Sequence, residues 1–303
     1  MAKPSADIRR ARPLLGTFVE IEVAGATEPE MAGAVDAAFA AVAEVHRLMS
    51  FHDPDSDVSR LNREAHVRPL AVHAWTYAVL KTAAELQRGS CGAFDIAVAP
   101  TLQRLGLLPR ANGSVPSLAP ANADFAIELL DGGAVRFRGP DTAIDLGGIA
   151  KGFAVDRALD VLRGFGMTAA IVNAGGDLAA FGPEPQLVHI RHPRNPAHIV
   201  CTIRLEDEAL ASSARRFDPF HTADTFGSAV IDPASRRVPG IVDGATVRAP
   251  CCMIADALTK VVMIRGIEAS DLLERYSASA LMFSADGTLQ MSSELNDAVH
   301  LAA

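Results

Sequence analysis

The sequence predicts an α+β fold, and three observations carry that prediction. A strictly alternating stretch near the start reads as a half-buried strand. A capped amphipathic helix follows it directly. Beyond them, strands, hairpins and inserted helices are mixed along the chain rather than repeated as βαβ units. In order, residues 14–23 alternate after Gly16, with Val19, Ile21 and Val23 on one face and Glu20 and Glu22 on the other. Thr27 with Glu30 three residues later forms a capping box, and Pro29 suits a first helical turn. That helix runs to about Met49, with Met31, Val35, Phe39, Val42 and Val45 as its apolar stripe. Residues 52–57 read as a loop. A second helix spans residues 74–87 and stops at Gly89.

Residues 104–124 hold Pro and Gly without periodicity and read as a long surface loop. Strands are expected near 125–130 and 134–138. Residues 145–156 then open a helix whose stripe is Ile149, Phe153, Ala158, Val161 and Leu162, and Gly164 or Gly166 ends it. A buried strand at 169–172, a turn at 173–177 and a strand from 178–181 follow. Further strands fall near 187–191, 199–205, 209–213 and 228–232. Helical stretches at 253–264 and 269–276 precede a hairpin turning at Ala285-Asp-Gly287. No internal repeat or linker interrupts the 303 residues, so one elongated domain with two lobes, residues 1–303, is expected.

Composition narrows the function. A charged fraction of 21% and a mean hydropathy of +0.18 exclude a disordered chain. A net charge of −8 argues against nucleic acid as a partner. An anionic ligand would have to be met by local positive charge or backbone N–H groups, against the global field. With 13 Phe, 2 Tyr and 1 Trp there is little material for stacking single-stranded bases. The four cysteines form no C-x-x-C pair, and the neighbours Cys251 and Cys252 sit in an apolar run as core residues. The first ten residues are basic but lack the apolar stretch of a signal peptide. No run approaches the roughly 20 apolar residues of a membrane span. A cytoplasmic protein without a membrane partner is expected.

The most informative run is Asp145-Leu-Gly-Gly-Ile-Ala-Lys-Gly-Phe-Ala-Val-Asp156. Gly147 and Gly148 precede a helix start, and Lys151 lies in its first turn. Helix N-termini carry unpaired N–H groups and partial positive charge, so a phosphate could sit there. The run matches neither the P-loop nor the Rossmann fingerprint. The alternative is a plain strand-to-helix turn with Lys151 in water. Asn173-Ala-Gly-Gly-Asp177 is by itself no more than a turn between strands. Asp53 and Asp55, beside Pro54, read as structural turn residues. His189 and His192, three apart on a strand, point to opposite faces and do not pair as metal ligands.

These two glycine runs together resemble the FAD:protein FMN transferase (ApbE-like flavin transferase) family. Leu15-Gly-Thr17, the run 49–56 with Leu61-Asn62, Gly92-Ala-Phe-Asp-Ile-Ala-Val98 with Pro100, and Ala255-Asp-Ala-Leu258 extend the resemblance in order over roughly residues 12–265. It implies a two-lobed, T-fold-related α+β architecture with mixed and antiparallel sheets and flanking helices. It implies FAD held in a cleft with Mg²⁺ at the pyrophosphate, and transfer of the FMN half to a Thr hydroxyl of an acceptor protein with release of AMP. By position, Leu15 would stand beside the flavin in place of a usual Met. Asp95, Asp145, Gly147, Gly148, Ala150 and Lys151 would bind FAD, as would Asn173, Gly175, Gly176 and Asp177. The Ala150 carbonyl and Asp256 would hold the metal.

Besides Leu15, the sequence departs from the family's pattern in three places. The histidine expected as general base falls on Ala229, after Ser228, and neither residue can act as a base at neutral pH. His221 is the candidate substitute. The family's Thr-Ser-Gly reads Ser212-Ser213-Ala214, and its metal-binding Thr is Lys260, with Thr259 one residue earlier. On a helix Lys260 shares a face with Asp256, so its ammonium could take over part of the metal's charge at the pyrophosphate. The alternative is a solvated lysine near a helix C-terminus. Three functions therefore stand side by side: an active flavin transferase, an FAD-binding relative with reduced or no transferase activity, and an FAD pyrophosphatase.

Overall fold

A computed structural model of the protein describes residues 7–110, 116–118, 126–215, 230–295 and 297–301. Its centre is an eight-stranded sheet in which every neighbouring pair is antiparallel. The strands are β1 (Ile8–Leu14), β2 (Thr17–Ala24), β6 (Ala169–Ala174), β7 (Asp177–Phe181), β10 (Ala209–Ala214), β11 (Val242–Ala249), β12 (Ser279–Ser284) and β13 (Leu289–Met291), in that spatial order. Helices α1 (Glu28–Met49), α5 (Ala150–Gly164) and α6 (Cys252–Arg265) cover one face. A three-stranded sheet of β8 (Gln186–His192), β9 (Asn195–Leu205) and β14 (Val299–Leu301) covers the other.

Two apolar layers hold this sandwich. On the helix side Val19, Ile21 and Val23 of β2 meet Phe39 of α1, Phe153 of α5 and Leu258 of α6. On the far side Leu178 of β7, Leu210 of β10 and Phe283 of β12 meet Ile190 of β8 and Ile203 of β9. Because β7 is covered on both faces, all five of its residues are buried. The remaining elements, α2 (Asp57–Glu64), α3 (Ala74–Gly89), α4 (Ala99–Arg104), α7 (Ser270–Arg275) and the small sheet β3 (Leu70–Ala71), β5 (Ala134–Phe137) and β4 (Ile127–Leu130), flank this centre.

Strong local signals produced the expected elements. Helix α1 starts where the box places it, with the Glu30 carboxylate accepting the Thr27 N–H at 3.0 Å and its hydroxyl at 2.6 Å. The turn in 173–177 is tighter than expected: β6 continues through Ala174 and β7 begins at Asp177. Only Gly175 and Gly176 turn, at φ +67° and +101°. Two positive φ angles in a two-residue hairpin call for glycine, and a Cβ at Gly175 would also lie 2.6 Å from Thr17 Oγ1.

Other elements escaped the pattern for identifiable reasons. Strand β1 is an edge strand rich in arginine, with five exposed residues in its middle, so it offers no apolar alternation. Strand β11 carries Asp243 and Gly244 and lies between two strands, buried on both sides, so it does not alternate either. Helix α2 begins inside the expected loop, with Ser56 Oγ accepting the Ser59 N–H at 3.0 Å, and is too short to show a period. The strand expected at 228–232 begins outside the described residues. Its described part includes an isolated bridge, Asp232 to Arg237, and no named strand. Most of the expected 104–124 loop also lies outside the described residues. No helix among the described residues is long and apolar enough to cross a membrane.

Candidate functional site

Helices α5 and α6 cross at their N-terminal halves, and the crossing sets the floor of the site. The contact is so close that a Cβ on Gly152 would collide with the Cys252 carbonyl and stand 2.8 Å from Met253 Cα. Each helix also caps the other. The Asp256 carboxylate of α6 accepts the Gly152 N–H of α5 through Oδ2 at 3.1 Å. The Asp156 carboxylate of α5 accepts the N–H groups of Cys252 at 2.7 Å and Met253 at 2.9 Å.

Above this crossing opens a cleft of about 820 Å³, within the range of small-molecule sites. Gly147, Gly148 and Lys151 from the start of α5 line it, together with Asn173, Gly175 and Gly176 from the β6–β7 turn. Asp95, Asp145 and Lys260 also border it. The opposite wall comes from the β8–β9 hairpin and from Ser212, Ser213, Gly244 and Phe283. The structure thus brings both glycine runs and both lysines into one cleft. A second cavity of about 1030 Å³, bordered by Arg88, Arg138 and Arg265, adjoins it through Ala93, Asp95 and Val98.

Two ammonium groups and two buried carboxylates sit at the floor. Lys151 contacts Asp177, and its Nζ lies 3.8 Å from Asp256 Oδ1. Lys260 Nζ contacts Asp256 Oδ1 and donates to the Asp256 carbonyl at 3.0 Å. The Asp177 and Asp256 side chains are 1% and 0% exposed, whereas those of Lys151 and Lys260 are 32% and 16% exposed. Burial pushes the Asp177 carboxyl up, and the neighbouring Asp256 charge adds to it, outweighing the two lysines. Burial also works against Asp256, but the two ammonium groups prevail and hold it below the usual carboxylate range. For Lys151, burial acts to lower the value, and the charges of Asp177 and Asp256 outweigh it and raise it. Asp95 and Asp145 are pushed up by burial, although each carboxylate accepts an N–H, from Ala97 at 2.8 Å and from Gly147 at 3.0 Å.

The anion seat differs from a simple helix N-terminus. Asp145 takes the Gly147 N–H, Leu146 O takes those of Ile149 at 3.0 Å and Ala150 at 2.8 Å, and Asp256 takes that of Gly152. The positive charge facing the cleft is therefore supplied by side chains, Lys151 and Lys260 at the floor and Arg191 of the hairpin wall. Lys260 is not a solvated helix residue. A Cβ on Gly148 would lie 3.4 Å from Lys260 Cε, so the lysine stem runs directly beneath the glycine turn.

The other expected residues divide plainly. Ala150, Asp177 and Asp256 lie beneath the cleft rather than in its lining. Leu15 stands at the β1–β2 turn with φ +57°, against the core, while its neighbours Gly16 and Thr17 line the cleft. His221, Ser228 and Ala229 lie outside the described residues. Burial still alternates along β8, with exposed His189 pairing with Thr202 and His192 turned inward against Phe283. Register shifts flank Arg191, and both histidines border the cleft. Asp53 holds the Asp55 N–H at 2.9 Å, a turn contact. The strands of the hairpin wall fall close to where they were expected and Asp156 closes the 145–156 run, but neither the wall's place at the cleft nor the capping role of Asp156 carried a sequence signal, since helix crossings are not periodic.

FAD suits this cleft: its volume, two ammonium groups and glycine turns match an anionic dinucleotide with an apolar ring. A divalent ion at Asp256 does not fit. One carboxylate oxygen is held by the Gly152 N–H and the other by the Lys260 ammonium, and the Thr259 hydroxyl is spent on the Asp256 carbonyl at 2.7 Å. Among the described residues no group of three or more His, Cys, Asp or Glu side chains could hold a metal ion.

Comparison with known proteins fits this geometry. The model of the ApbE family matches residues 15–283. The FAD:protein FMN transferase of Vibrio cholerae serotype O1 is 31% identical over 237 residues, covering 74% of this chain and 71% of the relative. That of Treponema pallidum is 26% identical over 324 residues, covering 96% and 88%. Among solved structures, the ApbE protein of Thermotoga maritima superposes with a TM-score of 0.84 at 24% identity, over 95% of this chain and 98% of that one. A mutant of the flavin transferase ApbE from Vibrio cholerae gives 0.81 at 25% identity, over 97% and 99%.

Proposed function

The chain belongs to the ApbE family, and from that premise we propose that it transfers the FMN half of FAD to a Thr hydroxyl of an acceptor protein. The observation that carries this reading is the convergence of both glycine runs, Lys151 and Lys260 on one cleft. The pyrophosphate of FAD lies against Gly147, Gly148 and Lys151, and the flavin uses the aliphatic and Phe283 wall. Asp95 and Asp145 hold sugar hydroxyls. Asn173, Gly175 and Gly176 line the nucleotide, with Asp177 behind them orienting Lys151 and Leu15 at the edge of the flavin side.

The acceptor Thr Oγ attacks the FMN phosphorus, a P–O bond forms there, and the P–O bond to the AMP phosphate breaks. The electron pair leaves with AMP, and the hydroxyl proton goes to a base at the cleft wall or to water. Such a transfer depends on in-line positioning and on cations that neutralise developing charge, a part that falls to Lys151. His189 and His192 border the cleft where a base would be useful. The family's metal takes no step in this transfer. We read the chain as one two-lobed domain, because α1, α5, α6 and the large sheet share a single apolar layer. Its cysteines are all free, which supports a reducing, cytoplasmic setting.

The test is to incubate the protein with FAD and a Thr-bearing flavin-acceptor protein. Covalent flavin on the acceptor with stoichiometric AMP is the expected result. Free FMN with AMP would identify a pyrophosphatase, and bound but unreacted FAD would identify a binding protein. Substitution of His189 and His192 by Gln, with a pH–rate profile, then shows whether either accepts the proton.

A further inference from the structure

Resting on the flavin reading, we propose that Lys260 is a built-in cation that replaces the divalent metal, so that this chain binds FAD without one. The geometry has three parts. The Lys260 ammonium occupies Asp256 from two sides, through the carboxylate and the main-chain carbonyl 3.0 Å away. The lysine stem is clamped under Gly148, so the ammonium is placed beside the glycine turn rather than free in solvent. The same lysine also lines the cleft, beside the point where Lys151 faces Asp177 and Asp256.

Charge balance supports the same assignment. The floor holds Asp177 and Asp256 against Lys151 and Lys260, two negative groups against two positive ones. A buried carboxylate without its own cation is costly, and Asp256, at 0% exposure, already has one. A divalent ion would have to displace Lys260 and then sit beside an ammonium of like charge. The remaining Asp256 oxygen is needed by the Gly152 N–H to hold α6 against α5. The lysine therefore does two things: it satisfies Asp256, and it presents a fixed positive charge to the pyrophosphate.

The test is equilibrium FAD binding, followed by flavin fluorescence, to the full chain stripped with EDTA and then supplied with Mg²⁺. The wild-type affinity is expected to change by less than about threefold between the two conditions. Lys260→Thr, checked for folding by circular dichroism, should bind at least about tenfold more weakly in EDTA and recover with Mg²⁺. Lys260→Arg, which keeps the charge, should stay metal-independent. Titration of the FAD-free wild type with Mn²⁺, read by its electron paramagnetic resonance signal, should show no tight site. Loss of wild-type FAD binding in EDTA by about tenfold or more, or a tight Mn²⁺ site that Lys260→Thr leaves unchanged, overturns the proposal while the flavin reading stands. Absence of FAD binding under every condition overturns both.

Discussion

Where α5 crosses α6, each helix lends a carboxylate to the first turn of the other, and the two carboxylates live in opposite electrical surroundings. Asp156 accepts the N–H groups of Cys252 and Met253. Asp256 accepts the Gly152 N–H. Burial raises Asp156 to about 6 despite its two N–H bonds and the nearby Arg157. Asp256 is fully buried, yet Lys151 and Lys260 hold it ionised. The same capping job thus yields a carboxyl pushed up on one side of the crossing and one held down on the other. Backbone N–H groups only soften the cost of burying Asp156, whereas the two ammonium groups together reverse it at Asp256, though not at Asp177. The side with the ammonium groups is the side that faces the cleft.

The largest expected effect comes from breaking the crossing itself. Gly152→Ala places a methyl against the Cys252 carbonyl and Met253 Cα and forces the helices apart, undoing both caps at once. Backbone against backbone cannot give way cheaply, so a loss of about 3 kcal/mol or more is expected, read by chemical denaturation. Stability within about 1 kcal/mol of wild type would mean that the two helices can slide without cost.

Next in size is Asp256→Asn, which leaves two ammonium groups around a neutral amide at the cleft floor. Removing one member of a buried pair costs about 3 kcal/mol, and FAD affinity should be altered together with stability. A stable variant with unchanged FAD binding would show that Asp256 has no part in the charge balance of the floor.

The smallest effect sharpens the contrast. The folded value of about 6 for Asp156 lies above its ordinary 3.8, so the folded protein holds this proton more tightly than the unfolded chain. Its contribution is therefore fully present below about pH 4 and is lost as pH rises to about 6. Asp156→Asn should flatten that part of the stability profile and shift stability at neutral pH by about 1 kcal/mol or less. Asp256 has the opposite sign, being depressed, so its contribution is lost only as pH falls through its lowered value. A wild-type profile that rises between pH 4 and 6 relative to Asp156→Asn would contradict the assignment of the two carboxylates.

Elements with strong local signals were legible in the sequence. The Thr27–Glu30 box placed α1, and glycines ended α3 and α5 close to where expected. Arginine-rich β1 and doubly buried β11 were not legible, because an edge strand with polar faces and a central strand without alternation carry no period. The same division holds at the site. The i,i+4 relation of Asp256 and Lys260 could be read directly, and the structure makes it a contact. The reciprocal caps could not, since they join residues about a hundred positions apart, Gly152 to Asp256 and Asp156 to Cys252. For the same reason the helix start looked like a row of unpaired N–H groups, when most of the 147–152 donors are satisfied from within the protein.

The most direct test is a crystal structure of the protein with FAD grown in EDTA. The pyrophosphate is expected between Gly148, Lys151 and Lys260, with the Lys260 ammonium still on Asp256. A pyrophosphate lodged instead among Arg88, Arg138 and Arg265 of the adjoining cavity, or Lys260 swung away from Asp256 toward solvent, would contradict the built-in cation.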